Sequence, residues 1–166
     1  MRPHRILSFV LVSTVLTASA QGASGFKFES TVLYQPDEPL RSRLSSAEEL
    51  AAYIKRLDAA CTTFLASETT PERLDIVVGL KPKNKVRVWF VSSRRSSQDK
   101  TLLDLRKKLE AVPPCSVHGG PVAFAMRCTI AGAAPSNEVP MPEEWRPKGK
   151  EPSLVPDGVF ERIWRD

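Results

Sequence analysis

The stretch that decides the fold is Leu74-Asp-Ile-Val-Val-Gly-Leu80, which continues through Lys81-Pro-Lys-Asn-Lys85 into Val86-Arg-Val-Trp-Phe-Val91. In both outer runs apolar residues recur at every second position, which is the period of a β-strand with one buried face. The five residues between the runs contain proline and asparagine, two residue types that favour turns. The stretch therefore predicts a β-hairpin.

A helix is predicted on each side of this hairpin. Before it, Ser45-x-x-Glu48 has the form of a capping box, and a helix is expected from there to about Ala66. Its apolar residues recur at steps of three and four: Leu50, Ile54, Leu57, Cys61, Phe64 and Leu65. After the hairpin, a second helix is expected from about Gln98 to Ala111, with a leucine-rich buried side: Leu102, Leu103, Leu105 and Leu109.

A third strand follows the second helix. Gly119-Gly120 turns the chain, and alternate apolar residues then share one face: Val122, Phe124, Met126, Cys128 and Ile130. Because short connections keep neighbouring elements adjacent, this strand is expected to run antiparallel to the first one and to pair with its free edge. The expected fold is an α+β two-layer sandwich in the order helix-strand-strand-helix-strand. It has a three-stranded antiparallel sheet, order 2-1-3, with both helices on one face.

The predicted α+β domain covers residues 45–131 and lies between two other segments. Residues 21–44 are interpreted as an irregular lead-in, where two prolines limit any strand to a short edge strand containing Phe26, Phe28, Val32 and Tyr34. Residues 132–166 form a proline-rich tail. Three aromatic residues indicate either that the tail is pinned onto the domain or that it is a partner-binding arm: Trp145, Phe160 and Trp164.

The first twenty residues have the order of a secretory signal peptide. Arg2, His4 and Arg5 form a basic head, residues 6–17 are mostly apolar, and Ala18-Ser19-Ala20 precedes the expected cleavage point. The alternative is an uncleaved anchor, but a membrane-spanning helix needs about 20 apolar residues. We therefore predict that residues 1–20 are removed and that the protein is periplasmic or secreted, with no stable membrane anchor.

The charge balance argues against nucleic acid as a partner. The full chain carries a net charge of +5, but the leader contains Arg2 and Arg5 and no acid, so the remaining 146 residues carry +3. So small an excess, spread over a whole domain, does not indicate nucleic-acid binding.

The three cysteines favour one disulfide in an oxidising compartment. Cys115 precedes the third strand and Cys128 lies near its far end. At about 3.3 Å per residue the two are roughly 20 Å apart, whereas the Cα atoms of a disulfide lie within about 7 Å. Cys61 lies near the end of the first helix, at the same end of the domain as Cys128. We therefore expect a Cys61–Cys128 bond; the alternative is that both are small buried apolar residues.

No pattern in the sequence indicates a catalytic, metal or cofactor site. His118 is the only histidine after the leader, and Cys115–His118 lies in a loop with no acid nearby to orient the imidazole. The chain contains neither a Cys-x-x-Cys pair nor a glycine-rich phosphate loop. We therefore expect no catalytic residue, no metal and no cofactor.

Positive charge is densest on the hairpin, at Lys81, Lys83, Lys85 and Arg87, and Arg94 and Arg95 follow the second strand. Basic residues along an edge strand discourage unwanted pairing between sheets, which is one interpretation. The other is a binding surface for an anionic partner such as a lipid headgroup, a cell-wall polymer or an acidic protein face.

The hairpin at residues 74–93, the leucine-rich helix after it, and Gly119-Gly-Pro-Val-Ala-Phe-Ala-Met-Arg-Cys128 together resemble the C-terminal domain of TonB and TolA proteins. The resemblance covers about residues 47–131. Pro-Lys-Asn-Lys stands in place of the usual acidic-glycine turn, and the aromatic-Pro-Pro element after the helix is reduced to Val112-Pro113-Pro114.

The resemblance implies a periplasmic module that binds other proteins, often by adding a strand to a partner. It does not imply energy transduction, because such transducers keep a membrane anchor and a long proline-rich spacer before the domain. We therefore expect a stand-alone, non-enzymatic protein-binding module whose partner is a protein of the cell envelope. A secreted inhibitor or immunity-type protein and a small cell-envelope enzyme are the alternatives.

Overall fold

The structure is a computed structural model, and it describes residues 25–146 and 156–164 of the chain. The predicted signal peptide therefore lies outside the described residues. In chain order the elements are β1 (Phe26–Leu33), α1 (Asp37–Arg43), α2 (Ala47–Phe64), β2 (Glu72–Lys81), β3 (Lys85–Ser92), α3 (Lys100–Glu110), β4 (Val122–Ile130), a 3-10 helix (Glu143–Trp145) and α4 (Pro156–Ile163).

The predicted hairpin is confirmed: β2 and β3 pair antiparallel from Leu74 opposite Ser92 to Lys81 opposite Lys85. In the turn between them, Lys83 and Asn84 have φ angles of 66° and 58°. Asparagine accepts this left-handed conformation more readily than most residues, which helps to explain why so tight a turn forms here.

The two helices that flank the hairpin are also present, with shifted ends. The capping box expected at Ser45 is wrong by one residue, because the backbone N–H of Glu49 donates to the Oγ of Ser46 at 3.1 Å and Ser46 is the N-cap of α2. The predicted buried stripe of α2 omitted Tyr53, which is fully buried. α3 begins after Asp99, whose carboxylate accepts from the first backbone N–H groups of the helix.

The expected three-stranded sheet in the order 2-1-3 is wrong. The sheet has four antiparallel strands in the order β1-β4-β2-β3, because β1 pairs with the edge of β4 that the expected arrangement left open. Of the nine residues of β4, only Arg127 is not buried. A strand covered on both faces would leave costly unpaired backbone groups if one of its edges had no partner.

The expectation of an irregular lead-in is also wrong, since residues 26–43 form β1 and α1. The pairing of β1 with β4 slips by one residue at Glu29, between Phe28 and Ser30, which is a β-bulge. The bulge divides the apolar residues between the two faces of the sheet. Phe26 and Phe28 pack with the residues under α2 and α3, whereas Val32 and Tyr34 pack on the opposite face.

The two predicted helices, α2 and α3, lie on one face of the sheet as expected, but the opposite face is covered as well. α2 and α3 pack on what we call the helix face, where the main core includes Leu57, Leu105 and Phe124. The opposite face, which we call the tail face, is covered by residues after β4. Trp145, Val159 and Phe160 pack there against Val77, Trp89, Ala123 and Ala125. Burial of each large apolar side chain contributes about 1.5–3 kcal/mol, so both layers stabilise the fold.

Candidate functional site

The aromatic residues of the tail are packed inside the molecule. Trp145 and Phe160 are 2% and 1% exposed, and Phe160 stacks on Trp89 with ring centroids 5.9 Å apart. Trp164 meets the edge of the Trp89 ring at 6.3 Å. The tail is therefore pinned onto the sheet, and these residues do not form an arm that reaches for a partner.

The basic hairpin is engaged by the same tail. The Nη1 of Arg87 donates to the backbone carbonyl of Ile163 at 2.8 Å, and the Nζ of Lys81 donates to the carbonyl of Trp164. The negative end of a helix dipole lies at the last carbonyl groups, so it stabilises positive side chains placed there. Lys83 and Lys85 are exposed at the tip, so the four predicted binding residues do not converge on one external site.

The start of α4 is held by an ion pair with α1. Arg43 makes two hydrogen bonds of 2.8 Å to the carboxylate of Asp157, and it also donates to the carbonyl of Pro121. Gly120 leaves room for this arginine, since a Cβ there would lie 2.9 Å from Arg43 Cζ. α1, α4 and the chain before β4 are thus joined by one side chain.

Arg94 and Arg95, which follow β3, both pair with a buried carboxylate, although the Arg94 side chain is itself exposed. The carboxylate of Glu72 is fully buried, and its Oε2 lies 3.2 Å from Arg95 Nε and 3.5 Å from Arg94 Nη2. Asp75 is also buried, and the loss of solvent raises the pKa of its carboxyl group, against the opposing effect of Arg73. The pairs with Glu72 hold the loop after β3 to the sheet.

The predicted disulfide between Cys61 and Cys128 is absent, and all three cysteines are free and buried. Burial raises the pKa of the Cys61 thiol to about 12, and it also raises the pKa of Cys128. Both stay protonated and pack as small apolar residues of the main core, the alternative that the sequence left open.

His118 does pair with a hydroxyl group, which the sequence did not indicate. Its Nε2 lies 2.9 Å from Ser45 Oγ, and both residues are exposed. Within residues 25–146 and 156–164, no carboxylate hydrogen-bonds to the other ring nitrogen to orient it. The described residues also contain no group of three His, Cys, Asp or Glu side chains placed to hold a metal ion.

The outer edge of β3 is closed by α3. The backbone N–H of Val88 points away from β2 and donates to the Glu110 carboxylate at 2.9 Å. The guanidinium of Arg106, one turn earlier, lies 5.8 Å from the ring centroid of Phe90. Val88 and Phe90 are buried as a result. A side-chain carboxylate thus occupies the position that the carbonyl of an added strand would take.

Among residues 25–146 and 156–164, no side chain closes the outer edge of β1 in the way that Glu110 closes that of β3. The backbone N–H of Tyr34 donates to the carbonyl of Ala123, so it points toward β4. Successive residues of a strand direct their N–H groups to opposite sides, and the N–H groups of Thr31 and Leu33 therefore point away from β4. β1 is the last strand of the sheet on this side, and both residues are exposed. We call the outward-facing backbone at Thr31 and Leu33 the β1 edge. The sequence suggested a short edge strand here, but it did not indicate which backbone groups of that strand face outward.

A cavity of about 310 Å³ lies at the end of the β1 edge, where α1 meets α2. Leu33 forms one wall and is 45% exposed. The other residues of this cavity, which we call the α1–α2 cavity, come from α1, its connection to α2 and the first turn of α2: Asp37, Leu40, Arg41, Leu44, Ser45, Ser46, Ala47 and Leu50.

Comparison with known proteins returns no relative: no family model, no curated protein and no solved structure matches the chain. Among the described helices, none combines the length and the apolar character that crossing a bilayer requires.

Proposed function

We propose that this chain is a periplasmic or secreted, non-enzymatic protein-binding module that binds an extended segment of a partner as an added strand on the β1 edge. The proposal keeps the resemblance to the C-terminal domain of TonB and TolA proteins and assigns no part in energy transduction. The expected partner is a protein of the cell envelope.

The difference between the two sheet edges carries this proposal. Strand addition requires outward-facing backbone N–H and C=O groups that a partner can reach. At β3 the Val88 N–H is already bonded to Glu110, and Val88 and Phe90 are buried. At β1 the backbone of Thr31 and Leu33 faces outward on exposed residues. An incoming segment would therefore meet less competition for backbone hydrogen bonds at β1 than at β3.

An inhibitor acting through its tail or its basic hairpin is less well supported. Trp145 and Phe160 are buried, and Lys81 and Arg87 bond to the end of α4. Such an inhibitor would first have to release the tail from the sheet and expose an apolar face to water, which is costly.

A proline exchange on each edge tests strand addition. The whole chain would be used to select binders from a displayed library of random peptides of about ten residues, the upper end of common strand lengths. Thr31→Pro removes an outward N–H without removing a bond to β4, so we expect the selected peptides to lose at least about tenfold in affinity, which is about 1.4 kcal/mol.

Val86→Pro is the matched control, because alternation from Val88 places the Val86 N–H on the outer side of β3. We expect it to leave binding unchanged. If peptides bind the Thr31→Pro variant as well as the original chain, or if no peptide is selected, the β1 edge is not a strand-addition site. Loss of binding in Val86→Pro alone would move the site to β3.

A further inference from the structure

We infer that the α1–α2 cavity is the anchor pocket for one aliphatic side chain of the segment added to β1, an inference that rests on the proposed function. The partner is accordingly an extended segment that carries a leucine-, isoleucine- or methionine-like residue on the side facing the helices. The position, the size and the chemistry of the cavity support this assignment in turn.

The position of the cavity follows from the register of β1. Leu33 is opposite Phe124, and Phe124 belongs to the core under α2 and α3, so Leu33 also faces the helix side of the sheet. Side chains at neighbouring positions of adjacent strands share a face. A residue added beside Leu33 would therefore project along the same face, toward the cavity that Leu33 lines.

The size of the cavity suits a side chain of an incoming strand. A water molecule in the liquid occupies about 30 Å³, so about 310 Å³ corresponds to roughly ten waters. This is the lower end of the range for small-molecule pockets. It leaves space for one or two aliphatic side chains of an incoming strand.

The chemistry of the walls favours an uncharged, apolar group. Four leucines line the cavity: Leu33, Leu40, Leu44 and Leu50. The hydroxyl groups at its rim have other partners, since Ser46 accepts from Glu49 and Ser45 bonds His118. The rim charges, Asp37 and Arg41, have opposite signs. A charged group entering here would lose water and gain no net attraction.

Filling the cavity tests the inference. Ala47 is an exposed residue of the first turn of α2 and lines the cavity, so Ala47→Trp places a large ring in it without disturbing the core. Peptides selected on the whole chain should share an aliphatic position, and we expect Ala47→Trp to weaken their binding by about tenfold or more, the effect of losing burial for one such side chain.

Ala59→Trp is the matched control, because Ala59 is also exposed on α2 but lines a separate groove between α2 and α3. We expect no change in affinity from it. Replacing the shared aliphatic residue of the peptide by aspartate should weaken binding to the original chain and have little further effect on Ala47→Trp.

Two outcomes separate this inference from the proposed function. If Thr31→Pro abolishes binding while Ala47→Trp does not change it, strand addition stands and the anchor pocket is overturned. If Ala47→Trp weakens binding while Thr31→Pro does not, the cavity binds peptides without strand addition, and both proposals are wrong. Peptides without a shared aliphatic position would also overturn the anchor pocket.

Discussion

At the scale of single residues, Gly79 determines how the tail lies on the sheet. A Cβ at this position would come within 2.6 Å of Phe160 Cζ and 3.0 Å of Trp89 Cζ3. The absence of a side chain thus creates the niche in which Phe160 stacks on Trp89. In a strand, glycine otherwise costs stability, so the packing of the aromatic rings offsets that cost.

We predict that Gly79→Ala lowers the free energy of unfolding by about 1–3 kcal/mol, because the added methyl group overpacks this contact and displaces Phe160. Urea denaturation measures the change. In a Phe160→Ala background the same exchange should cost little, since the ring that it displaces is gone. An equal cost in both backgrounds would show that the stability is lost through the backbone conformation at residue 79 and not through displacement of the Phe160 ring.

At the scale of elements, α4 is attached at both ends by side chains from distant parts of the chain. Arg43 of α1 holds its first turn through Asp157, and Arg87 of β3 donates to the carbonyl of its last residue, Ile163. The middle of α4 is held by Val159 and Phe160, which are buried on the tail face. A helix of eight residues is too short to be stable by itself, so these contacts are what keep it folded.

We predict that Arg43→Ala lowers the free energy of unfolding by about 1 kcal/mol, because the two hydrogen bonds to Asp157 and the one to the Pro121 carbonyl are lost at a partly exposed site. Amide hydrogen exchange should become faster in α4 and stay unchanged in α2. The control is Lys100→Ala. Lys100 also forms an ion pair, with Asp104, but its side chain is far more exposed than that of Arg43. This control should cost much less stability than Arg43→Ala, because water and salt screen an exposed pair. Equal effects of the two variants would contradict the role of Arg43.

At the scale of the whole molecule, the sheet has apolar residues on both faces. The helix face is buried under α2 and α3, and the tail face carries Val77, Trp89, Ala123 and Ala125. A sheet with two apolar faces needs a cover on each of them. The segment after β4 provides the second cover, so residues 132–146 and 156–164 belong to the folded unit, whereas the sequence divided the chain after residue 131.

We predict that stability decreases in the order full chain, chain ending at residue 146, chain ending at residue 131. The first truncation removes α4, and the second also removes Trp145 and so exposes Trp89 to water. Denaturation curves give the order, and size-exclusion chromatography should show aggregation of the shortest chain. If the chain ending at residue 131 is monomeric and as stable as the full chain, the tail does not contribute to the stability of the fold.

The two edges of the sheet show the limit of sequence reasoning about the candidate site. The sequence suggested a short edge strand containing Phe26, Phe28, Val32 and Tyr34, but it did not indicate which face of the sheet each residue lies on. The bulge at Glu29 puts two of them on each face. A bulge depends on the pairing with β4, about a hundred residues later in the chain, and so it leaves no signal in local periodicity.

The sequence by itself determined the hairpin, α2, α3 and β4, because the periods of two and of three to four residues reflect burial of neighbouring positions in the chain. Only the tertiary structure decided that β1 completes the sheet, that the tail covers its second face, that the cysteines stay free, and that the β3 edge is closed by Glu110. Those features depend on contacts between residues that are far apart in the chain, and a local sequence pattern carries no information about such contacts.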